Sequence, residues 1–136
     1  MATPKWAIDD ILSGYIDAAL WSEVDESDEP LDSNYGPSDV SVESVRKMRA
    51  DILKFVRVNR KACAAYVAHR VHGRSDGNAY HHLGHDLWLT RNGQGTGFWD
   101  RDYGGEGWIG EALTRGAEKL GESHLYHGDD GEIHVG

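Results

Sequence analysis

Apolar residues along this chain recur at helical spacing in three places and alternate like strands in two. Ile8, Ile11, Leu12, Tyr15, Ile16, Ala19 and Leu20 return every three or four positions, giving one apolar stripe and predicting a helix over 4–22. Thr3 can cap it, and Pro4 stands at its first position, where a missing N–H costs nothing. Gly14 weakens the helix by about 1 kcal/mol relative to alanine. A second stripe, Val45, Met48, Ile52, Phe55, Val56, Ala62, Cys63 and Tyr66, predicts a helix over 41–71 capped by Ser38 or Ser41. Asn59 falls on its apolar side, so a kink or a break is expected there.

Residues 73–84 are rich in turn formers and read as a loop. Beyond them the period changes. Leu87 and Leu89 alternate with Trp88 and Thr90 as in a half-buried strand, Asn92-Gly93 is a hairpin-turn signal, and Phe98 to Arg101 pairs back. A hairpin over 85–101 follows, its tip geometry accounting for Gly93, Gly95 and Gly97 without a phosphate cradle. Ile109, Ala112, Leu113, Gly116, Ala117 and Leu120 predict a helix over 108–120, stopped by Gly121. A second hairpin over 123–135 turns around Gly128-Asp129-Asp130-Gly131. The expectation is one α+β domain over 1–136 in the order α-α-β-β-α-β-β, a small antiparallel sheet of two hairpins with helices packed on one face.

Composition adds the class. At 136 residues, 39% hydrophobic and 27% charged, the chain is long enough for one core and reads as a soluble globular protein. It has no apolar run of about 20 residues to span a membrane and no signal-peptide pattern at its start. Cys63 is its one cysteine, which excludes an intramolecular disulfide and a cysteine zinc cluster and makes a reducing cytoplasm the expected compartment. On the apolar stripe, it reads as a small core residue.

The net charge of −9 is blocked along the chain. Residues 1–40 hold ten acids against Lys5, residues 41–74 nine bases against Glu43 and Asp51, and residues 75–136 eleven acids against four bases. The acidic block centres on EVDESDEPLD, within a loop over 23–37 that mutual repulsion and Pro30 predict to be extended and solvated. It reads as a bland linker, a segment docking onto the basic second helix, or a mimic of DNA phosphates. A calcium loop is excluded by its spacing. Arg46, Lys47, Arg49, Lys54, Arg57, Arg60 and Lys61 make the other side of the second helix basic, the one place where nucleic acid fits a negative chain.

Candidate chemistry concentrates between His81 and Arg101. His85, Asp86 and Asp100 are candidate acid–base groups, but strand alternation puts His85 and Asp86 on opposite faces. His81 and His85 stand four apart, which on a helix is a metal-ligand spacing, and nothing selects a third ligand among Asp86, Asp100, His124 and His127. No metal or other cofactor is assigned, and no nucleophile elbow, P-loop or dinucleotide fingerprint is present. Trp88, Arg91, Asn92, Trp99, Asp100 and Arg101 form a candidate binding face, of residue types enriched at interface anchors and stacking surfaces. The bland reading of the same residues is a cross-strand ion-pair ladder over packed aromatics. A partner-binding protein is favoured over an enzyme. The alternatives are a small nucleotide-binding or metal-assisted hydrolytic enzyme built on His85, Asp86, Arg91 and Asp100, and an acidic DNA mimic.

The run GHDLWLTRNGQGTGFWDR over 84–101 resembles the GHDFWLTRNGHGAGFWDR signature of small proteins encoded by tailed bacteriophages and prophages. The resemblance extends to Ala19-Leu20-Trp21-Ser22, to the acidic DESDEPLD loop, and to the tail from Gly121 to Gly131. Gln94 stands where many of those proteins carry histidine. The resemblance implies a phage-encoded accessory protein in the cytoplasm of an infected bacterium, and by analogy one acting on a host or phage protein; a small anionic ligand is a further candidate only through the His85, Asp86, Arg91 and Asp100 cluster. It implies no catalytic mechanism.

Overall fold

The computed structural model describes residues 5–73, 78–94, 97–100, 103 and 105–136. Besides three single 3-10 turns, these residues form five α-helices and one two-stranded sheet: α1 (Lys5–Ser22), α2 (Val42–Val58), α3 (Arg60–Gly73), α4 (Ala79–Arg91), α5 (Gly107–Leu120), β1 (Leu125–His127) and β2 (Ile133–Val135). The order α-α-β-β-α-β-β is therefore wrong. Where a hairpin over 85–101 was expected, residues 85–91 belong to α4, and among the described residues the one hairpin sheet is β1–β2.

Asn78 starts α4 by accepting from the backbone N–H groups of Tyr80 and His81 at 2.9 and 3.4 Å. Its end is at Asn92, followed by Gly93 at φ +63, the left-handed position that suits a residue just past a helix. Asn92-Gly93 is thus a helix stop and not a hairpin turn. Leu83, Leu87, Trp88, Leu89, Thr90 and Arg91 are all buried, so α4 is enclosed on nearly every side. A helix buried all round has no apolar stripe, which is why its C-terminal half mimics strand alternation.

The partner of α4 is α1. Asp10 bonds Asn78, Asp17 bonds His81, and Ser22 bonds Trp88, so the two helices run the same way. Gly14 and Gly84 lie where they meet, close enough that no side chain fits at either position. Core residues from α1, α2, α3 and α5 close around this pair, with Tyr15, Ile52, Phe55, Tyr66, Leu87, Trp88, Phe98 and Leu113 all at 2% exposure or less. No described helix is long and apolar enough to cross a membrane.

The helical segment expected over 41–71 breaks where Asn59 led us to expect it, into α2 and α3. Asn59 bonds its own helix, its N–H and side-chain amide both donating to the Phe55 carbonyl. Ser41 caps α2, its Oγ accepting from Ser44 N–H at 3.1 Å. Ser44 Oγ in turn accepts from the Val135 N–H, docking β2 on the first turn of α2. β1 and β2 pair antiparallel, Leu125 opposite Val135 and His127 opposite Ile133. Leu125, Ile133 and Val135 face the core. The caps foreseen at Thr3 and Pro4 lie outside the described residues, as do Arg101 and Gly95 of the expected hairpin.

The acidic loop is not extended. The Asp25 carboxylate accepts from the N–H groups of Ser27 and Glu29 at 2.8 and 3.0 Å, and Val24 bridges Pro30. Leu31 anchors the loop at 1% exposure. Among the described residues this loop forms no ion pair with α2. The cation of α2 that is paired, Arg49, meets Asp9 of α1 at 2.7 Å.

Candidate functional site

Because the HDLWLTRN run is helical, its polar side chains point in several directions, and each finds a different neighbour. Asp86 is fully buried and accepts a 2.6 Å hydrogen bond from the Tyr66 hydroxyl on α3. Trp88 is fully buried, donating to Ser22 Oγ at 2.9 Å and meeting Tyr15 edge-on. Thr90 Oγ accepts from Phe98 N–H, fixing the segment after the glycine-rich turn. Asn92 donates to the Trp88 carbonyl and accepts from Ser123 N–H at 2.8 Å.

Arg91 makes the largest set of contacts. Nη1 donates to the Tyr15 hydroxyl at 2.7 Å and to Asp51 at 2.8 Å. Nε and Nη2 donate to the carbonyls of Gly121 and Leu120, at 2.7 and 3.0 Å. These are the last carbonyls of α5, so a buried guanidinium closes that helix and complements its dipole. Burial opposes the charge, but the Tyr15 oxygen and the Asp51 carboxylate outweigh it and raise the Arg91 pKa above the usual arginine value. The same burial pushes the Tyr15 hydroxyl up to about 12, so it stays protonated.

The candidate binding face is thereby dismantled. Trp88 and Arg91 are interior, Asn92 is a connector between α4 and the segment before β1, and Arg101 lies outside the described residues. Of the aromatic anchors only Trp99 is outward, at 60% exposure. Among the described residues of this segment no strands carry a cross-strand ion-pair ladder either.

Of the candidate catalytic residues, His85 and Asp86 point apart. His85 is half-buried on the surface side of α4, 6.1 Å ring to ring from the exposed Trp21. Its Nδ1 stands 3.8 Å from Asp86 Oδ1, too far for a hydrogen bond, while Asp86 turns inward to Tyr66. Asp100 belongs to a single 3-10 turn, Phe98–Asp100, after the loop. Arg91 is committed to Tyr15, Asp51 and α5. His85, Asp86 and Arg91 therefore do not converge on one point: His85 faces the surface, Asp86 faces Tyr66, and Arg91 faces Tyr15 and Asp51.

His81 and His85 do share a helix at metal-ligand spacing. His81, however, is bonded to Asp17 at 3.0 Å, and His124, a named third ligand, is bonded to Glu23 and Glu122. His127 lies against Tyr35. Among the described residues no three His, Cys, Asp or Glu side chains converge as a metal site. Cys63 is buried, and burial pushes its thiol up to about 12, which leaves it inert as a nucleophile.

The surface that does carry unused chemistry lies on α5 and the segment before it. Trp99, Tyr103, Gly107, Gly110, Glu111, Thr114, Arg115 and Glu118 line a groove of about 350 Å³. Thr114 Oγ is buried there without a hydrogen-bond partner, which is uncommon in a finished interior. Phe98 holds the segment down, stacked on Phe55 and edge-on to Tyr66, while its neighbour Trp99 stands free. The sequence singled out Trp99 but not Thr114, Glu111 or Arg115, which carry no local signal on an amphipathic helix. Nor did it signal Tyr66, Tyr15 and Asp51 as partners of the motif, because those contacts join residues 20 to 76 positions apart.

No family model, curated protein or solved structure matches this chain.

Proposed function

We propose that this is a phage-encoded accessory protein that acts by binding a host or phage protein in the cytoplasm of the infected bacterium, inhibiting or redirecting it. A defence or nucleic-acid-processing factor is the class of target this reading favours. The phage origin rests on the sequence resemblance alone. The binding mode rests on one observation, the contrast between Trp99 and the motif around it. Asp86, Trp88, Thr90, Arg91 and Asn92 spend their polar groups on internal contacts, whereas Trp99 stands 60% exposed beside a groove of about 350 Å³.

An exposed tryptophan held on a rigid base is the residue type that most often anchors an interface. Here the base is Phe98, clamped by the Thr90 hydrogen bond at the backbone and by Phe55 and Tyr66 at the ring. The recognition face therefore moves from the expected hairpin to Trp99 and the outer side of α5, where Trp108 is also 45% exposed.

Affinity capture with the tagged protein from infected cells tests this reading. Trp99→Ala should lose the captured partner at least tenfold, while Val42→Ser, at an exposed site on α2, should keep it. Both should unfold at the wild-type temperature. Equal capture by Trp99→Ala and the wild type would overturn the assignment.

A further inference from the structure

A second groove, of about 340 Å³, lies between α2 and α5. Its apolar lining includes Phe55, Val58 and Leu120, and its cations are Lys54, Arg115 and Lys119. No acidic residue lines it, on a chain whose net charge is −9. Among the described residues none of the three cations has an ion pair or a side-chain hydrogen bond.

Cations near helix ends often serve the helix dipole, and that is the bland account of Lys119 in the last turn of α5. It covers Lys119 alone. The carbonyls of Leu120 and Gly121 are already held by Arg91, so Lys119 is not needed to close the helix. Lys54 and Arg115 sit before the last turns of α2 and α5. Three like charges around one concavity repel each other, and an anion in the groove relieves that repulsion. The volume falls at the low end of small-molecule sites, roughly 300–1,000 Å³.

We infer that the α2–α5 groove binds a small amphipathic anion, an aliphatic body on Val58 and Leu120 with a phosphate or carboxylate head among Lys54, Arg115 and Lys119. Val58, 67% exposed, supplies an apolar wall that a bare inorganic anion would not use. The site is independent of the Trp99 reading and shares only Arg115 with that groove.

Titration of the 15N-labelled protein, followed by amide shifts, reads this directly. The probes are octyl phosphate, octanoate, octanol and inorganic phosphate, each below micelle-forming concentration. One or both octyl anions should shift α2 and α5 amides and saturate, the tighter one identifying the head group. Octanol and inorganic phosphate should each bind at least tenfold more weakly. The exposed-site variants K54Q/K119Q and Val58→Glu should weaken the octyl anion at least tenfold without moving the unfolding temperature. Octanol binding as tightly as the anions, shifts away from α2 and α5, or variants that bind like the wild type would each overturn the proposal. So would a short single-stranded oligonucleotide that occupies the groove more tightly than either octyl anion, since the site would then be a nucleic-acid contact.

Discussion

Gly14 of α1 and Gly84 of α4 are reciprocal contacts. A Cβ on Gly14 would stand 1.8 Å from the His81 carbonyl oxygen, and one on Gly84 would stand 1.8 Å from that of Ile11. The obstacle in both cases is backbone, which cannot turn aside as a side chain can. The two helices are therefore as near as backbones can come, and a methyl group on either side must drive them apart. With Trp88 and Leu87 packed at the same junction, that separation would open the core.

Gly84→Ala and Gly14→Ala should accordingly destabilise the fold by about 3 kcal/mol or more, despite alanine's better helix propensity of about 1 kcal/mol. Urea denaturation of each variant measures this. A neutral or stabilising effect at Gly84 would mean that the helices are not in backbone contact. Gly36→Ala is a control, because nothing lies within 4 Å of its Cβ position.

Arg91 joins α1, α2 and α5 through one guanidinium. Arg91→Leu leaves two terminal carbonyls of α5 and the Tyr15 hydroxyl without their donor, costing about 2–4 kcal/mol. Asp51 is 41% exposed at its side chain and can turn to water, so its part of the loss is small. Arg91→Lys keeps the charge but cannot reach all the acceptors, and should recover less than half of the loss. Chemical denaturation of the two variants gives the ordering. Arg91→Lys with wild-type stability would show that charge alone matters.

His124 ties the segment before β1 to Glu23, just past α1. The hydrogen bond to Glu23 raises its pKa, slight burial opposes this, and a hydrogen bond to Glu122 adds to the rise. Its contribution is therefore complete below the unfolded value of about 6.5 and fades as pH rises through the higher folded value. The stability difference between the wild type and His124→Gln should shrink across that interval, by a small amount because the side chain is 52% exposed. Thermal unfolding against pH gives the difference, and the imidazole proton shifts give the pKa. A His124 that titrates at or below about 6.5 would contradict the Glu23 contact.

Cys63 should stay unreactive toward a soluble disulfide reagent at pH 8 in the native protein and react in full in denaturant. Its burial and a thiol pKa of about 12 both act in that direction. Rapid native-state labelling would place α3 differently against the core.

The amino-acid sequence by itself determined the elements whose environment is one-sided. The stripe of α1 is readable at Ile8, Ile11, Leu12, Tyr15, Ile16, Ala19 and Leu20, and all of these are buried. The same holds for Ile109, Leu113 and Ala117 on α5. Asn59 on an otherwise apolar face marked the point where α2 gives way to α3. Only the tertiary structure decided residues 79–91. There the sequence offers Gly84, which reads as a breaker, and a stretch with no helical period, because neighbours surround the segment. Gly84 is in fact required by the approach of α1, a cause that lies about 70 positions away in the chain. The motif's charged and aromatic residues followed the same logic. Asp86, Trp88 and Arg91 look like a site because their types are reactive, yet a buried charge or indole is stable only when distant elements satisfy it. Tyr66, Ser22, Tyr15, Asp51 and the end of α5 do so, and Trp99 is the motif aromatic left exposed.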